Sequence, residues 1–352
     1  MHGQASLLST LRLSTLRPGT LRPGTLHVPI MSYSIVEIGE TCLGHQLTQA
    51  VEMEKSVAQA GFELARFIEQ HPRLWVITGA GVSTDSGIPD YRDANGQWKR
   101  PPPVQHGDFM ASLSVRQRYW ARALVGFKAL REAQISGAHQ ALAALEAMGF
   151  VELLVTQNVD RLHQRAGSKR VIDLHGRADL VKCMTCHYQM MRHAMHSEMA
   201  RMNPAFAVLN ATHAPDGDAD LETDFSTFRV LDCPRCGGIL KPDVVYYGDV
   251  VPAERRQAAQ AGLNKADAVL AVGTSLMVFS GYRFCRDAHA MGLPIASLSL
   301  GVTRADTLLS HQWRAPLTPV LTHAVKRLTL GQRALDTHGL PSSQNRQGAS
   351  RS

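Results

Sequence analysis

An apolar run, Leu74-Trp75-Val76-Ile77-Thr78, stops at Gly79-Ala80-Gly81 and gives way to a dense polar stretch, Val82 to Asp93. Five consecutive apolar or β-branched residues bounded by glycines read as a short strand buried on both faces, the kind found in parallel sheets. The glycines allow a tight turn and a close backbone approach. Ser83 and Thr84 are suited to begin a helix whose free N–H groups face an anion. That is the physics of a dinucleotide pyrophosphate site, although G-A-G by itself also serves as plain turn geometry. The next residues, Ser86-Gly87-Ile88-Pro89-Asp90-Tyr91-Arg92, place a second glycine, a proline, an acid and an arginine within a few positions. A packing turn has no need of that chemistry, whereas a lid over a bound cofactor does.

The rest of the chain repeats the rhythm of helix and buried strand. Glu52 to Gln70 carries Val57, Ala60, Gly61, Leu64, Ala65, Phe67 and Ile68 at helical spacing. Asn95 to Pro103 reads as a loop, His106 to about Glu132 as one long helical region with Tyr119, Trp120, Leu124, Phe127 and Leu130 on a core face, and His139 to Met148 as a further helix. Strands follow at Val151 to Val155, Ala268 to Val272 and Pro294 to Leu300, and a closing helix at Leu321 to Leu330. This alternation predicts an α/β fold: a Rossmann-like doubly wound parallel sheet whose ligands gather at the carboxyl ends of the strands.

Four of the six cysteines form two C-x-x-C pairs, Cys183 with Cys186 and Cys233 with Cys236. Two such knuckles offer four thiolates to one tetrahedral structural zinc; redox or iron-sulfur use of the pairs is the alternative. A small zinc-binding module with a helical insert is therefore expected. Between the knuckles, Met190, Met191, Met195, Met199 and Met202 with His187, His193 and His196 form a helical tract, and Ala214 to Asp224 an acidic loop. The formal net charge of +7 owes much to the ends, since residues 1–36 hold three arginines and no acid. No groove-reading motif or aromatic interleaving accompanies it, so no nucleic-acid partner is expected. No apolar run approaches the roughly 18 to 20 residues that span a bilayer, so a soluble chain is expected.

Two polar constellations follow strand ends. Gln157-Asn158-Val159-Asp160 comes just past one strand, and Leu174-His175-Gly176 a little later. Asn158 and Asp160 could simply cap the next helix, with His175 a satisfied loop histidine. The functional reading makes the amides position a ribose and its leaving base, with His175 as a general base of near-neutral pKa.

In family order the chain carries G-A-G-V-S at 79–83, S-G-I-P-D-Y-R at 86–92, T-Q-N-V-D at 156–160, L-H-G at 174–176, the two C-x-x-C pairs, K-P-D-V-V-Y-Y-G at 241–248 and G-T-S-L at 273–276. This series resembles the sirtuin family of NAD-dependent protein deacylases from Glu52 to about Leu330. The resemblance implies that Gly79, Ala80 and Gly81 cradle the NAD pyrophosphate and that Arg92 holds NAD and shapes the cofactor loop. It implies that Gln157, Asn158 and Asp160 contact the nicotinamide ribose and carboxamide, with Asn158 and His175 as the catalytic pair. Gly273, Thr274 and Ser275, the loop Ser299-Leu300-Gly301 and Leu317 would complete the cofactor contacts. Val244, Val245, Tyr246, Tyr247 and Gly248 would line the groove for an extended acyl-lysine peptide; a plain core strand is the alternative there. Ser299 departs from the family's usual asparagine, and its shorter side chain implies a weaker hold on the adenosine ribose.

The resemblance further implies that NAD is consumed: the acyl group moves from lysine to ADP-ribose and nicotinamide is released. Protein mono-ADP-ribosylation from the same site is the alternative activity. P-P-V-Q-H-G-D-F at 102–109 and S-G-Y-R-F at 280–284 are most similar to the class II branch, which also has mitochondrial members. Desuccinylases of the family carry a tyrosine and an arginine three apart in the acyl pocket. Tyr119 and Arg122 have that spacing but stand late in their helix, so a dedicated desuccinylase is not expected. The expected organisation is a low-complexity extension at 1–45, where residues 8–26 repeat on a five-residue period, a catalytic domain at 46–333 with the zinc module at about 178–242, and a flexible tail at 334–352. Met31 and Met53 are alternative starts. Partners are acyl-lysine proteins or peptides and no membrane, with a monomer in the cytoplasm, or alternatively the mitochondrion, as the expected setting.

Overall fold

In a computed structural model of the chain, residues 35–99, 103–210, 212–213 and 218–337 are described. Two units divide between Ala50 and Val51; the first contributes only the helical residues 35–50. In chain order, α1 (Ile35–Gln70) leads to β1 (Leu74–Thr78) and a 3-10 turn (Ala80–Ser86). Three helices follow, α2 (His106–Ala111), α3 (Leu113–Glu132) and α4 (Gly137–Ala147), then β2 (Val151–Thr156), α5 (Leu162–Arg165), β3 (Val171–Asp173) and β4 (Gly176–Cys183). An inserted module comprises β5 (Gln189–Met191), α6 (Arg192–Met202), α7 (Pro204–Ala207), β6 (Thr212–His213), β7 (Ala219–Asp220) and β8 (Leu240–Val244). The chain then returns through α8 (Ala253–Leu263), β9 (Ala268–Val272), α9 (Phe279–Ala290), β10 (Ile295–Leu298), a 3-10 turn (Asp306–Leu308), β11 (His311–Trp313) and α10 (Leu317–Thr337).

Six strands make one parallel sheet in the order β11-β10-β9-β1-β2-β3. The chain runs outward from β1 to β3 on one side, restarts beside β1 at β9 and runs outward to β11 on the other. This is the doubly wound order, and its direction reverses between β1 and β9. Every residue of β1 is buried, as the unbroken apolar run requires. Successive side chains point to opposite faces. Leu74 and Val76 join a core with α1, α4 and α10, whereas Trp75 and Ile77 join a second core with α8 and α9. Each such fully buried side chain stabilises the fold by about 1.5 to 3 kcal/mol. The Trp75 indole N–H, which burial would otherwise orphan, donates to the Ala259 carbonyl at 3.0 Å.

The Rossmann-like sheet with a helical insert is borne out. Two strands of it, β3 and β11, escaped the sequence because three residues with exposed or mixed positions carry no periodic signal. The single helical region expected from His106 divides at Ser112, whose extended backbone and side chain cap α3 by accepting from the Val115 N–H. Helix α1 starts at Ile35, inside the expected extension, because no proline interrupts the chain from there to Gln70. Helix α10 likewise runs to Thr337, past the expected tail boundary at 334. The repeat at 8–26 and most of the tail lie outside the described residues. Among the described residues, no helix is long and apolar enough to cross a membrane.

The insert builds its own core. Met195 and Met199 of α6, Phe206 and Phe228 pack against Phe109 and Trp120 of α2 and α3. Its sheet is antiparallel, in the order β5-β4-β8, and β8 runs from Leu240, paired with Cys183, to Val244, paired with Gly176. One five-residue strand thus joins the cysteine cluster to the position after His175.

Candidate active site

At the reversal point the turns after β1 and β9 touch through their backbones. The Gly81 N–H donates to the Gly273 carbonyl at 2.8 Å. A Cβ on Gly81 would lie 2.8 Å from that carbonyl oxygen, and one on Gly79 2.8 Å from Thr274 Cβ. Gly273 adds a left-handed φ of 59°, so only glycine lets these two strand ends close on one another. Leu317, at the start of α10, packs over the same spot, its Cδ1 2.7 Å from where a Gly273 Cβ would stand. Arg161 and Leu276, which border the crevice, hold left-handed backbone without being glycine, a strain that active sites often store.

Ser83 and Thr84 do not open an α-helix. The segment is 3-10 from Ala80 to Ser86, and the buried Ser83 hydroxyl donates to Asp160 Oδ2 at 2.8 Å. Asp160 also accepts from the Leu162 N–H at 2.9 Å. Burial raises its carboxyl pKa, and these hydrogen bonds oppose the shift. Asn158 Nδ2 donates to the Gly79 carbonyl and to Ser83 Oγ, both at 3.0 Å. Gln157 Nε2 donates to the Thr78 carbonyl at 3.2 Å and to Thr274 Oγ1 at 2.7 Å. The amides expected to meet ligand therefore first tie the β1, β2 and β9 turns together.

His175 follows β3 and half-fills the floor beside them. Nδ1 lies 3.1 Å from the Gln157 carbonyl and Nε2 2.7 Å from Ser280 Oγ. A carbonyl only accepts, so Nδ1 carries the proton and Nε2 presents its lone pair. Burial pulls the imidazole pKa down to about 4; the Gln157 hydrogen bond opposes the shift and the nearby Arg255 guanidinium adds to it. The ring is thus a neutral base at physiological pH, but its pKa is further below neutrality than the sequence suggested, because packing among the strand ends disfavours its charged form. Ser280, whose hydroxyl meets the basic nitrogen, is a site residue that no local pattern in S-G-Y-R-F marks as such, since its partner lies 105 positions away.

Arg92 donates to the Gly96 carbonyl at 2.8 Å and stacks 3.8 Å above the Trp98 ring, inside its own loop. Trp98 meets Tyr247 edge-on at 5.7 Å, joining that loop to the segment after β8. Gly301 backs onto Ala94 of the same loop, where a Cβ would lie 2.7 Å from the Ala94 carbonyl oxygen. The Ser299 N–H donates to the Trp313 carbonyl, and Leu300 is exposed. Of the five residues expected to line the peptide groove, Tyr246 turns inward: it is buried among Phe109 and Tyr119, ring centroids 5.4 and 5.6 Å away. Val244, Val245 and Tyr247 are half-buried and Gly248 is exposed. The inward turn lies past the end of β8, where the Tyr246 ring packs into the aromatic core of the insert and stands over the Lys241 ammonium. Arg122 is held by Asp218 through two hydrogen bonds of 2.9 Å, with Asp220 3.7 Å away.

The sulfur atoms of Cys183, Cys186, Cys233 and Cys236 lie within 4.8 Å of one another. Cys183 to Cys236 and Cys186 to Cys233 are 3.6 Å apart, against an edge of about 3.8 Å for a tetrahedron with metal–sulfur bonds of roughly 2.3 Å. The Thr185 and Cys186 N–H groups point at the Cys183 sulfur from 3.4 and 3.5 Å, donors suited to a thiolate. The cluster is compatible with a structural zinc site.

Residues 79–280 match the profile of the Sir2 family. An NAD-dependent protein deacetylase of Xanthomonas campestris pv. campestris (strain 8004) is 58% identical over 259 residues, 73% of this chain and 88% of the relative. The mitochondrial NAD-dependent protein lipoamidase sirtuin-4 of Bos taurus is 46% identical over 252 residues, 70% of this chain and 80% of the relative. Among solved structures, a Sir2 complex with a p53 peptide and NAD+ superposes with a TM-score of 0.61 at 25% identity, covering 76% of this chain and 98% of that one. A Sir2 homolog bound to NAD gives a TM-score of 0.59 at 27% identity, with 76% and 94% covered.

Proposed function

Because the chain belongs to the Sir2 family, we infer that it is an NAD-dependent protein-lysine deacylase that moves the acyl group to ADP-ribose and releases nicotinamide. The observation that carries this is His175, fixed as a neutral base with Nε2 presented at the carboxyl end of the sheet, beside the crevice where β1 and β9 part. Bound NAD supplies an electrophilic ribose carbon with a cationic leaving group. The glycine turns at 79–81 and 273–275 close on one another, and that mutual contact fixes the width of the crevice in which the diphosphate would lie. Asn158 and Gln157, braced on both turns, hold the ribose side of the pocket still. Nε2 of His175 accepts a ribose hydroxyl proton in place of the Ser280 hydroxyl it accepts here. The acylated peptide lies along 244–248, extending the strand order that Val245 begins by donating its N–H to the His175 carbonyl at 2.8 Å.

The zinc assignment rests on the four-sulfur geometry: Cys183, Cys186, Cys233 and Cys236 would hold one ion whose task is to fasten the β4-β5-β8 module. Membership of the class II branch rests on residues 102–109 and 280–284. A thiolate cluster of this kind calls for a reducing compartment such as the cytoplasm.

The test is mass spectrometry of acetyl-, succinyl-, lipoyl- and 3-hydroxy-3-methylglutaryl-lysine peptides incubated with NAD. Loss of an acyl group with formation of O-acyl-ADP-ribose is expected, and His175→Ala should lower kcat/KM by about 100-fold or more. A protein mass gain of one ADP-ribose without acyl loss would replace deacylation by ADP-ribosyl transfer from the same crevice. Absence of nicotinamide release would overturn both.

A further inference from the structure

Lys241 is buried at 4% exposure, although it precedes a segment read above as a peptide groove. Its ammonium is enclosed by that segment. Nζ donates to the Val244 carbonyl, lies 3.4 Å from Asp249 Oδ2 and sits 4.4 Å from the centre of the Tyr246 ring. Residues 246–249 form a hydrogen-bonded turn, with the Asp249 N–H donating to the Tyr246 carbonyl at 3.0 Å and Gly248 at a φ of 79°. Asp249 also meets His106 Nδ1 at 3.3 Å, and the His106 N–H donates to the Tyr247 carbonyl at 2.8 Å. The chain from Val244 to Asp249 is thus wrapped around one buried cation, closed by one carboxylate and buttressed by the first residue of α2.

A buried ammonium is costly unless paired. Here its pairing partners are the two ends of the loop, so the charge is neutralised only when the loop has this shape. We infer that Lys241 is a positioning residue for substrate: its ammonium pins Val244 to Asp249 and sets the curvature of the surface that receives the acyl-lysine peptide. It touches neither the glycine turns nor His175, so its influence falls on peptide rather than on NAD. This assignment rests on the reading of 244–248 as the peptide groove.

The experiment compares wild type, Lys241→Met, Lys241→Arg and Asp249→Asn. It measures the affinity of a fluorescein-labelled acetyl-lysine peptide, KM for that peptide, KM for NAD, and the thermal midpoint. Lys241→Met should weaken peptide binding and raise peptide KM by about tenfold or more, with KM for NAD changed by less than about twofold. Lys241→Arg should recover part of the loss. Asp249→Asn alters a side chain that is 24% exposed, so it should fold even where Lys241→Met does not, and it should reproduce the peptide-selective effect. Equal changes in both KM values, or an unchanged peptide KM in folded variants, would overturn the assignment of Lys241. Wild type that fails to bind any acetyl-lysine peptide would overturn the groove reading and the Lys241 assignment together.

Discussion

His175 owes its chemistry to two neighbours that differ in what they can do. The Gln157 carbonyl only accepts and so fixes the proton on Nδ1, while the Ser280 hydroxyl donates and so marks Nε2 as the basic atom. Burial holds the imidazole pKa near 4. A lowered pKa leaves the base unprotonated, hence competent, at all pH values above it; competence is lost only as pH falls through that value. We predict that kcat/KM, which reports the free enzyme, stays on its plateau through pH 6 and that its acid limb falls near pH 4 to 5. A limb centred near 6.5 in a pH–rate profile would mean that His175 is solvated in the working protein.

Strand β8 is the element on which the candidate site turns, because it links the cysteine cluster, where Leu240 pairs with Cys183, to Val244, which pairs with Gly176 beside His175. Its fit to β4 depends on Gly176. The φ there is 89°, and a Cβ would lie 1.9 Å from the Asp243 carbonyl oxygen. The atoms it would strike first are the backbone of Asp243, so backbone must move, and His175 is the adjacent residue. We predict that Gly176→Ala destabilises the fold by more than about 2 kcal/mol in urea titration. It should also depress kcat far more than a change of the same stability cost elsewhere; unchanged kcat in the folded variant would contradict the strand's role. The glycine of L-H-G is thus explained by the crossing strand.

For the whole molecule, β8 belongs to the inserted module's sheet alone but pairs with β4 from Cys183 to Gly176, the residue after His175, so loss of a metal from the cysteine cluster should be felt at the site. Treatment with a zinc chelator, or Cys233→Ser, is expected to lower the thermal midpoint by roughly 10 °C and to abolish deacylation. Metal analysis should return one zinc per chain. Full activity after verified removal of the metal would show that the β4-β8 pairing stands without it.

The apolar run at Leu74 to Thr78, the glycines that end it and the paired cysteines were legible in the sequence, because each is a local pattern with a local cause: burial on both faces, steric need, ligand spacing. They determined the α/β class, the four-cysteine module and the neighbourhood of the crevice. What the chain order could not reveal were relations between residues far apart in it. Ser280 stands 105 positions from the imidazole it contacts, and Arg122 96 positions from the Asp218 that occupies its guanidinium. The inward turn of Tyr246, the capture of Ser83 by Asp160 and the enclosure of Lys241 are likewise decided by which strands and loops come to lie together. Hydrogen bonds and ion pairs act over a few ångströms of space whatever the separation along the chain, so these partners became definite only when the sheet closed.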